Sequence, residues 1–157
     1  MTQQPPPYQP LSLERALRET AARLRAGADY RWAHMGSCNC GHLAQTVSLI
    51  SPGELHRRAV ERPGDWSEQL RDYCPSSGLP LDDIIAGLLR LGATLDQLRD
   101  LERLSDRAVL AQLPAEERRS LSYRRRADVA RYFEAWADLE RARSGSRAAS
   151  VAVPALR

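Results

Sequence analysis

A chain of 157 residues, 43% hydrophobic and 27% charged, is sized for one globular domain with enough apolar mass to bury a core without disulfides. Its formal charge of +3 excludes the strongly one-sided character of a dedicated polyanion binder, and no apolar run nears the ~20 residues of a membrane span. Every one of the 23 basic residues is arginine, which a GC-rich bacterial-type coding sequence explains better than selection for phosphate contacts.

Residues 1–10, MTQQPPPYQP, are polar and proline-rich and read as a disordered arm. They lack the charged start and apolar stretch of a secretory signal, so the expectation is a cytoplasmic protein with no membrane attachment. Ser12 then predicts an N-cap for LERALRETAARLRA, in which Leu13, Ala16, Leu17, Ala21 and Leu24 recur at helical spacing before Gly27 stops the run. Residues 29–41 read as an irregular loop. GHLAQTVSLI, from Gly41, is short and apolar and reads as helix in preference to buried strand.

A series of helix starts follows. Ser51, Pro52 and Glu54 form a capped start for a helix to about Arg62, and Asp65 with Glu68 opens another to about Tyr73. CPSSGLP is a loop, and LDDIIAGLLRL is a helix ended by Gly92. Thr94 and Gln97 make a capping box for LDQLRDLERL, Ser105 is the expected cap of DRAVLAQL, and Pro114 begins PAEERRSL. The last helix is expected from about Arg125 to Arg143, with Val129, Phe133, Trp136 and Ala137 on its apolar face. No segment alternates with period two. The predicted fold is all-α, a compact orthogonal array of about seven or eight short helices. It forms a single domain over residues 11–143, followed by a flexible tail over 144–157.

The main functional clue is HMGSCNCGH, residues 34–42, which holds two of the three cysteines and two of the three histidines. An odd, low cysteine count does not suit a secreted disulfide framework; in a reducing compartment such residues are metal-bound, catalytic or buried. Thiolate and imidazole ligands hold zinc tetrahedrally, and thiolates hold iron–sulfur clusters. Cys38 and Cys40 are spaced to bind one ion, and Gly36 and Gly41 would allow the unusual dihedrals of a tight chelate. His34 or His42 would add nitrogen, and Cys74 in DYCPSSG would return as a fourth ligand. The expected metal set is therefore His34, Cys38, Cys40, His42 and Cys74, holding zinc or an iron–sulfur cluster in a structural or sensing role.

The alternative is an enzyme. Cys40 lies just before GHLAQTV, and a thiol at a helix N-terminus is biased toward thiolate. His34, His42 or His56 would be its base, with Cys40 and His42 the leading pair. GADYRWAHMGSCNCGHLAQTV resembles the nucleophile segment of papain-like cell-wall endopeptidases, whose Y-x-W-G-G stretch leads into D-C-S-G-L. That resemblance sets Tyr30 and Trp32 on the aromatics, Cys40 on the nucleophile and Leu43 on the leucine, and implies hydrolase or acyl-transferase chemistry. It covers about a seventh of the chain. His42 stands in place of the family's Gly, Asn39 in place of its Asp, and no histidine follows His56 to match the family's downstream base. The third reading is a helical interaction module whose cysteines are small buried hydrophobes.

Three other features carry weaker signals. Arg124, Arg125 and Arg126 beside Tyr123 suggest a phosphate contact, against which pairing with Glu116 and Glu117 on a solvated face is favoured. Residues 81–106 have helix-turn-helix spacing, but Asp96, Asp100 and Glu102 in the second helix would repel phosphates. Trp32, Trp66 and Trp136 read as core anchors, with Trp32 placed to wall a pocket near the Cys/His loop. A protein partner is expected, and nucleic acid is the weaker alternative.

Overall fold

Side-chain caps set where most helices begin. In this computed structural model, which describes residues 11–151, the Ser12 hydroxyl accepts the Arg15 amide and opens α1 (Leu13–Arg25). The Cys38 thiol accepts the Gly41 amide at the start of α2 (Asn39–Ser48), and Ser51 caps α3 (Pro52–Ala59). Asp65 caps α4 (Trp66–Arg71), and Asp82 opens α5 (Asp82–Arg90) while its carboxylate accepts the Leu79 amide of the preceding loop. Thr94 and Gln97 form the predicted reciprocal box for α6 (Leu95–Leu101). Asp106 caps α7 (Arg107–Leu110), Pro114 precedes α8 (Ala115–Ser120), and α9 (Arg126–Val151) closes the described chain. The fold is all-helical as expected, with nine helices among the described residues against the seven or eight counted from sequence.

The frame is α1 laid antiparallel on α9. Arg18 pairs with Asp138 at 3.0 Å and Arg25 with Glu134 at 2.9 Å, so advancing along α1 means retreating along α9. Between them lie the i, i+3/i+4 stripe of α1 (Leu13, Ala16, Leu17, Ala21, Leu24) and the buried face of α9 (Val129, Tyr132, Phe133, Trp136). Each of the large aromatics buried here contributes on the order of 3 kcal/mol through removal of apolar area from water. Polar links join the layers. The Tyr132 hydroxyl accepts the Asp106 amide at 3.2 Å, fixing α7 to α9. Thr20 and Thr46 share a 2.7 Å hydrogen bond between α1 and α2, and Arg23 donates to the His42 carbonyl at 2.8 Å.

Some boundaries differ from expectation. The cap of α7 is Asp106, not Ser105, because the Ser105 hydroxyl bonds back to Asp100. α3 and α4 stop at Ala59 and Arg71, short of Arg62 and Tyr73. α9 runs to Val151 and not to Arg143: Ser144 and Gly145 cost about 1 kcal/mol or less each in a helix, and neither blocks the backbone hydrogen bonds as proline would. The arm predicted over residues 1–10, and the tail beyond Val151, lie outside the described residues. α6 buries Gln97, Leu98 and Leu101 against its neighbours, so the α5–α6 pair is packed as core and not presented as a recognition unit. Among the described residues, no helix is long and apolar enough to cross a membrane.

Candidate functional site

The nonapeptide at residues 34–42 enters the core backbone first. A side-chain carbon on Gly36 would stand 2.6 Å from the Pro52 carbonyl carbon and 2.9 Å from its Cα; one on Gly41 would stand 2.5 Å from both Met35 O and Gly36 C. Neither glycine has positive φ. Both are required by the close approach of three backbone segments, and not by the dihedrals of a chelate loop. Asn39, fully buried, donates from Nδ2 to the carbonyls of Leu101 at 2.6 Å and Glu102 at 2.8 Å, satisfying the end of α6. The Trp66 indole donates to Met35 O at 2.8 Å, and Gln45 donates to Gly36 O at 2.6 Å. The segment is a packing knot joining α2, α3, α4 and α6.

The five expected ligands do not converge. Among the described residues, no three His, Cys, Asp or Glu side chains are grouped so as to hold a metal ion. Cys74 is exposed in the loop after α4, its thiol near the Ser76 hydroxyl at 3.5 Å, and does not return to Cys38 and Cys40. Cys38 is buried as the cap of α2, 3.4 Å from the Gly41 amide. Cys40 is buried in a small apolar void with Leu43, Trp66, Leu70, Leu88, Leu98 and Leu101, its thiol 3.8 Å from the Leu98 carbonyl.

The imidazoles are also engaged. His34 and His56 stack with ring centroids 4.0 Å apart, and each Nδ1 accepts a backbone amide, Gly36 N–H for His34 and Met35 N–H for His56, both at 3.2 Å. That leaves the remaining proton of each neutral ring on Nε2, the wrong tautomer for metal binding there. Burial, then the neighbouring His56, lowers the pKa of His34. His42 is 2% exposed and donates from Nε2 to the Asp29 carbonyl at 2.8 Å; burial lowers its pKa as well.

This geometry corrects the catalytic expectation for Cys40 and His42. A nucleophile needs an accessible thiolate, but burial raises the Cys40 pKa well above the ordinary range and raises that of Cys38 to about 11. The His42 ring is held to the loop carrying Asp29 through Nε2 while its Nδ1 is buried without a hydrogen-bond partner among the described residues, and neither helix dipole nor base compensates for burial at Cys40. The surface thiol is Cys74, whose pKa is lowered by the Ser76 hydroxyl. Iodoacetamide on the native protein is therefore expected to label Cys74 first. Cys38 and Cys40 should react only in denaturant, as peptide mass mapping would show. Rapid native labelling of Cys40 would revive the nucleophile.

A second feature lies beside the knot. The loop between α1 and α2 meets the loop between α8 and α9, where the Trp32 and Tyr123 rings approach to 5.0 Å between centroids at 37°. The Arg124 guanidinium lies 5.4 Å over the Trp32 ring and that of Arg103 lies 5.6 Å over Tyr123. Both rings are partly exposed and both arginines are exposed. The loops are tied by the Tyr30 hydroxyl donating to the Tyr123 carbonyl and by Arg126 donating to Ala28 O at 3.4 Å. The pairing expected for Arg124–Arg126 with Glu116 and Glu117 does not form. Arg125 turns to Asp128 at 2.7 Å, and Glu117 is taken by Arg131 at 2.8 Å. Among the described residues, Arg103, Arg124 and Arg126 form no ion pair with a carboxylate. Sequence reading noted Tyr123 beside the arginine run and Trp32 near a pocket, but missed Arg103 and the meeting of the two loops.

Comparison of the chain with protein-family models, curated proteins and solved structures finds no match.

Proposed function

We propose that the protein is a helical binding module whose working surface is the arginine–aromatic face of Trp32, Tyr123, Arg103 and Arg124, and that it takes an anionic partner. The observation that carries this reading is the pair of guanidiniums held over partly exposed rings without carboxylates to neutralise them. Among the described residues some surface arginines are paired, as Arg57 is with Glu54 and Glu61, and others such as Arg141 and Arg147 are not; what sets Arg103 and Arg124 apart is the aromatic ring beneath each. Stacking on the rings keeps both guanidiniums at this face and off competing carboxylates before a partner arrives. The net charge of +3 hides this local concentration, since charge on a face and charge of the whole chain are different quantities.

The test compares two charge reversals of equal size. Arg103→Glu with Arg124→Glu alters the face, whereas Arg141→Glu with Arg147→Glu makes the same net change near the far end of α9, where both residues are exposed. The first pair should elute from immobilised heparin at distinctly lower salt than the second. Equal shifts would show that attraction is diffuse and would remove the face as the working surface.

A further inference from the structure

Resting on that reading, we infer that the partner is a single-stranded nucleic acid, with bases stacked on the Trp32–Tyr123 pair and phosphates held by Arg103 and Arg124. The two halves of the face ask for different chemistry from one ligand. The guanidiniums ask for anionic oxygens, which a carboxylate chain or any phosphate supplies. The rings ask for flat, polarisable faces. An acidic polypeptide offers charge without such faces, and a duplex stacks its bases against each other and hides them. A single strand presents base faces and phosphates together, which is why stacking platforms flanked by arginine recur as a physical solution for unpaired strands.

The geometry suits this use. Trp32 and Tyr123 lie 5.0 Å apart at 37°, and each carries a guanidinium, so a base stacks by displacing that guanidinium from the ring toward the adjoining phosphate. Each keeps some surface exposed. The arginines reach the rings from two parts of the chain, Arg124 from the same loop as Tyr123 and Arg103 from the turn after α6, one over each ring. Arg126 is the first residue of α9 and Arg31 stands beside Trp32; Arg31 is paired with Asp29 at 3.1 Å, an exposed pair that a phosphate can displace at little cost. The hydrogen bonds from Tyr30 to Tyr123 and from Arg126 to Ala28 hold the two loops together before a strand arrives.

The experiment is fluorescence anisotropy of the full chain with a labelled oligo(dT) of about 12 nucleotides at about 50 mM salt. Three comparators are an abasic strand of the same length, a duplex of the same length and poly-glutamate. Oligo(dT) should bind at least about 10-fold more tightly than the abasic strand, since stacking one base contributes on the order of that factor. Replacing Arg103 and Arg124 by alanine should weaken binding about 10-fold or more and reduce the salt slope by about 1.4, two contacts at ~0.7 each. The abasic comparison uses the unaltered protein, so it does not depend on any variant folding. Equal affinity for oligo(dT), abasic strand and duplex would overturn the inference and leave an electrostatic face. Preference for poly-glutamate would overturn it in favour of an acidic polypeptide. No binding to any of the four would overturn the inference, and together with equal heparin shifts for the two charge reversals it would overturn the proposed function as well.

Discussion

Gly36→Ala is expected to destabilise the protein by about 3 kcal/mol or more, because the added methyl has no space and no flexible neighbour to displace. Its Cβ would meet the Pro52 backbone at 2.6 Å from the carbonyl carbon and 2.9 Å from Cα, and closer still to the oxygen. On the other side Gly41 already packs on the Gly36 backbone. Relief requires moving the start of α3, which carries the fully buried Leu55 and the His56 ring that accepts the Met35 amide. The matched control is Gly53→Ala, one residue further along the same helix than Pro52. A Cβ there meets nothing within 4 Å, so the change should stabilise by about 0.5 kcal/mol through helix propensity. Urea unfolding of both variants reads the prediction. The same substitution should give opposite signs at the two positions, and a Gly36→Ala protein within about 1 kcal/mol of the parent would mean that the knot is not tightly packed.

The helices that sequence reading placed well are those whose start is a local event. Ser12, Ser51, Asp65 and Thr94 each cap an amide three residues ahead, so the partner is within sight of the residue that names it. The end of α9 was less legible because a stop requires a strong breaker, and Ser144 and Gly145 are weak ones. The nonapeptide was legible as an anomaly and not as a structure. Its composition suggested ligands, yet the partners that explain it lie far along the chain: Asn39 bonds Leu101 across 62 positions, and the Trp66 indole bonds Met35 across 31. A thiol in the core and a thiol on a metal look alike in one dimension; only burial and neighbours separate them. The arginine–aromatic face has the same property, since Trp32 and Tyr123 belong to loops joined by the α1–α9 packing.

Asn39→Asp should cost about 3 kcal/mol or more at pH 7, although it replaces one group by another of nearly the same shape. The Asn39 amide donates two hydrogen bonds to the Leu101 and Glu102 carbonyls from a fully buried position. A carboxylate there would set an anionic oxygen against two carbonyl oxygens at the end of α6, away from solvent, so both repulsion and desolvation would raise its pKa in the folded state above the ordinary carboxylate value of ~3.9. The folded variant would then keep a proton that the unfolded chain releases. By linkage its stability falls as pH rises through that interval, and the penalty is smallest at acidic pH, where a protonated carboxyl can donate one of the two lost bonds. Asn39→Ala removes both donors without adding a charge, so its cost, about 2 kcal/mol from unsatisfied buried carbonyls, should be the same at both pH values. Urea unfolding of parent and variants at about pH 4 and pH 7 separates these cases, with the parent at each pH as its own reference. An aspartate variant whose deficit does not narrow in acid would show that the side chain turns away from the two carbonyls, and the link from the knot to α6 would have to be carried by Cys40 and its apolar neighbours alone.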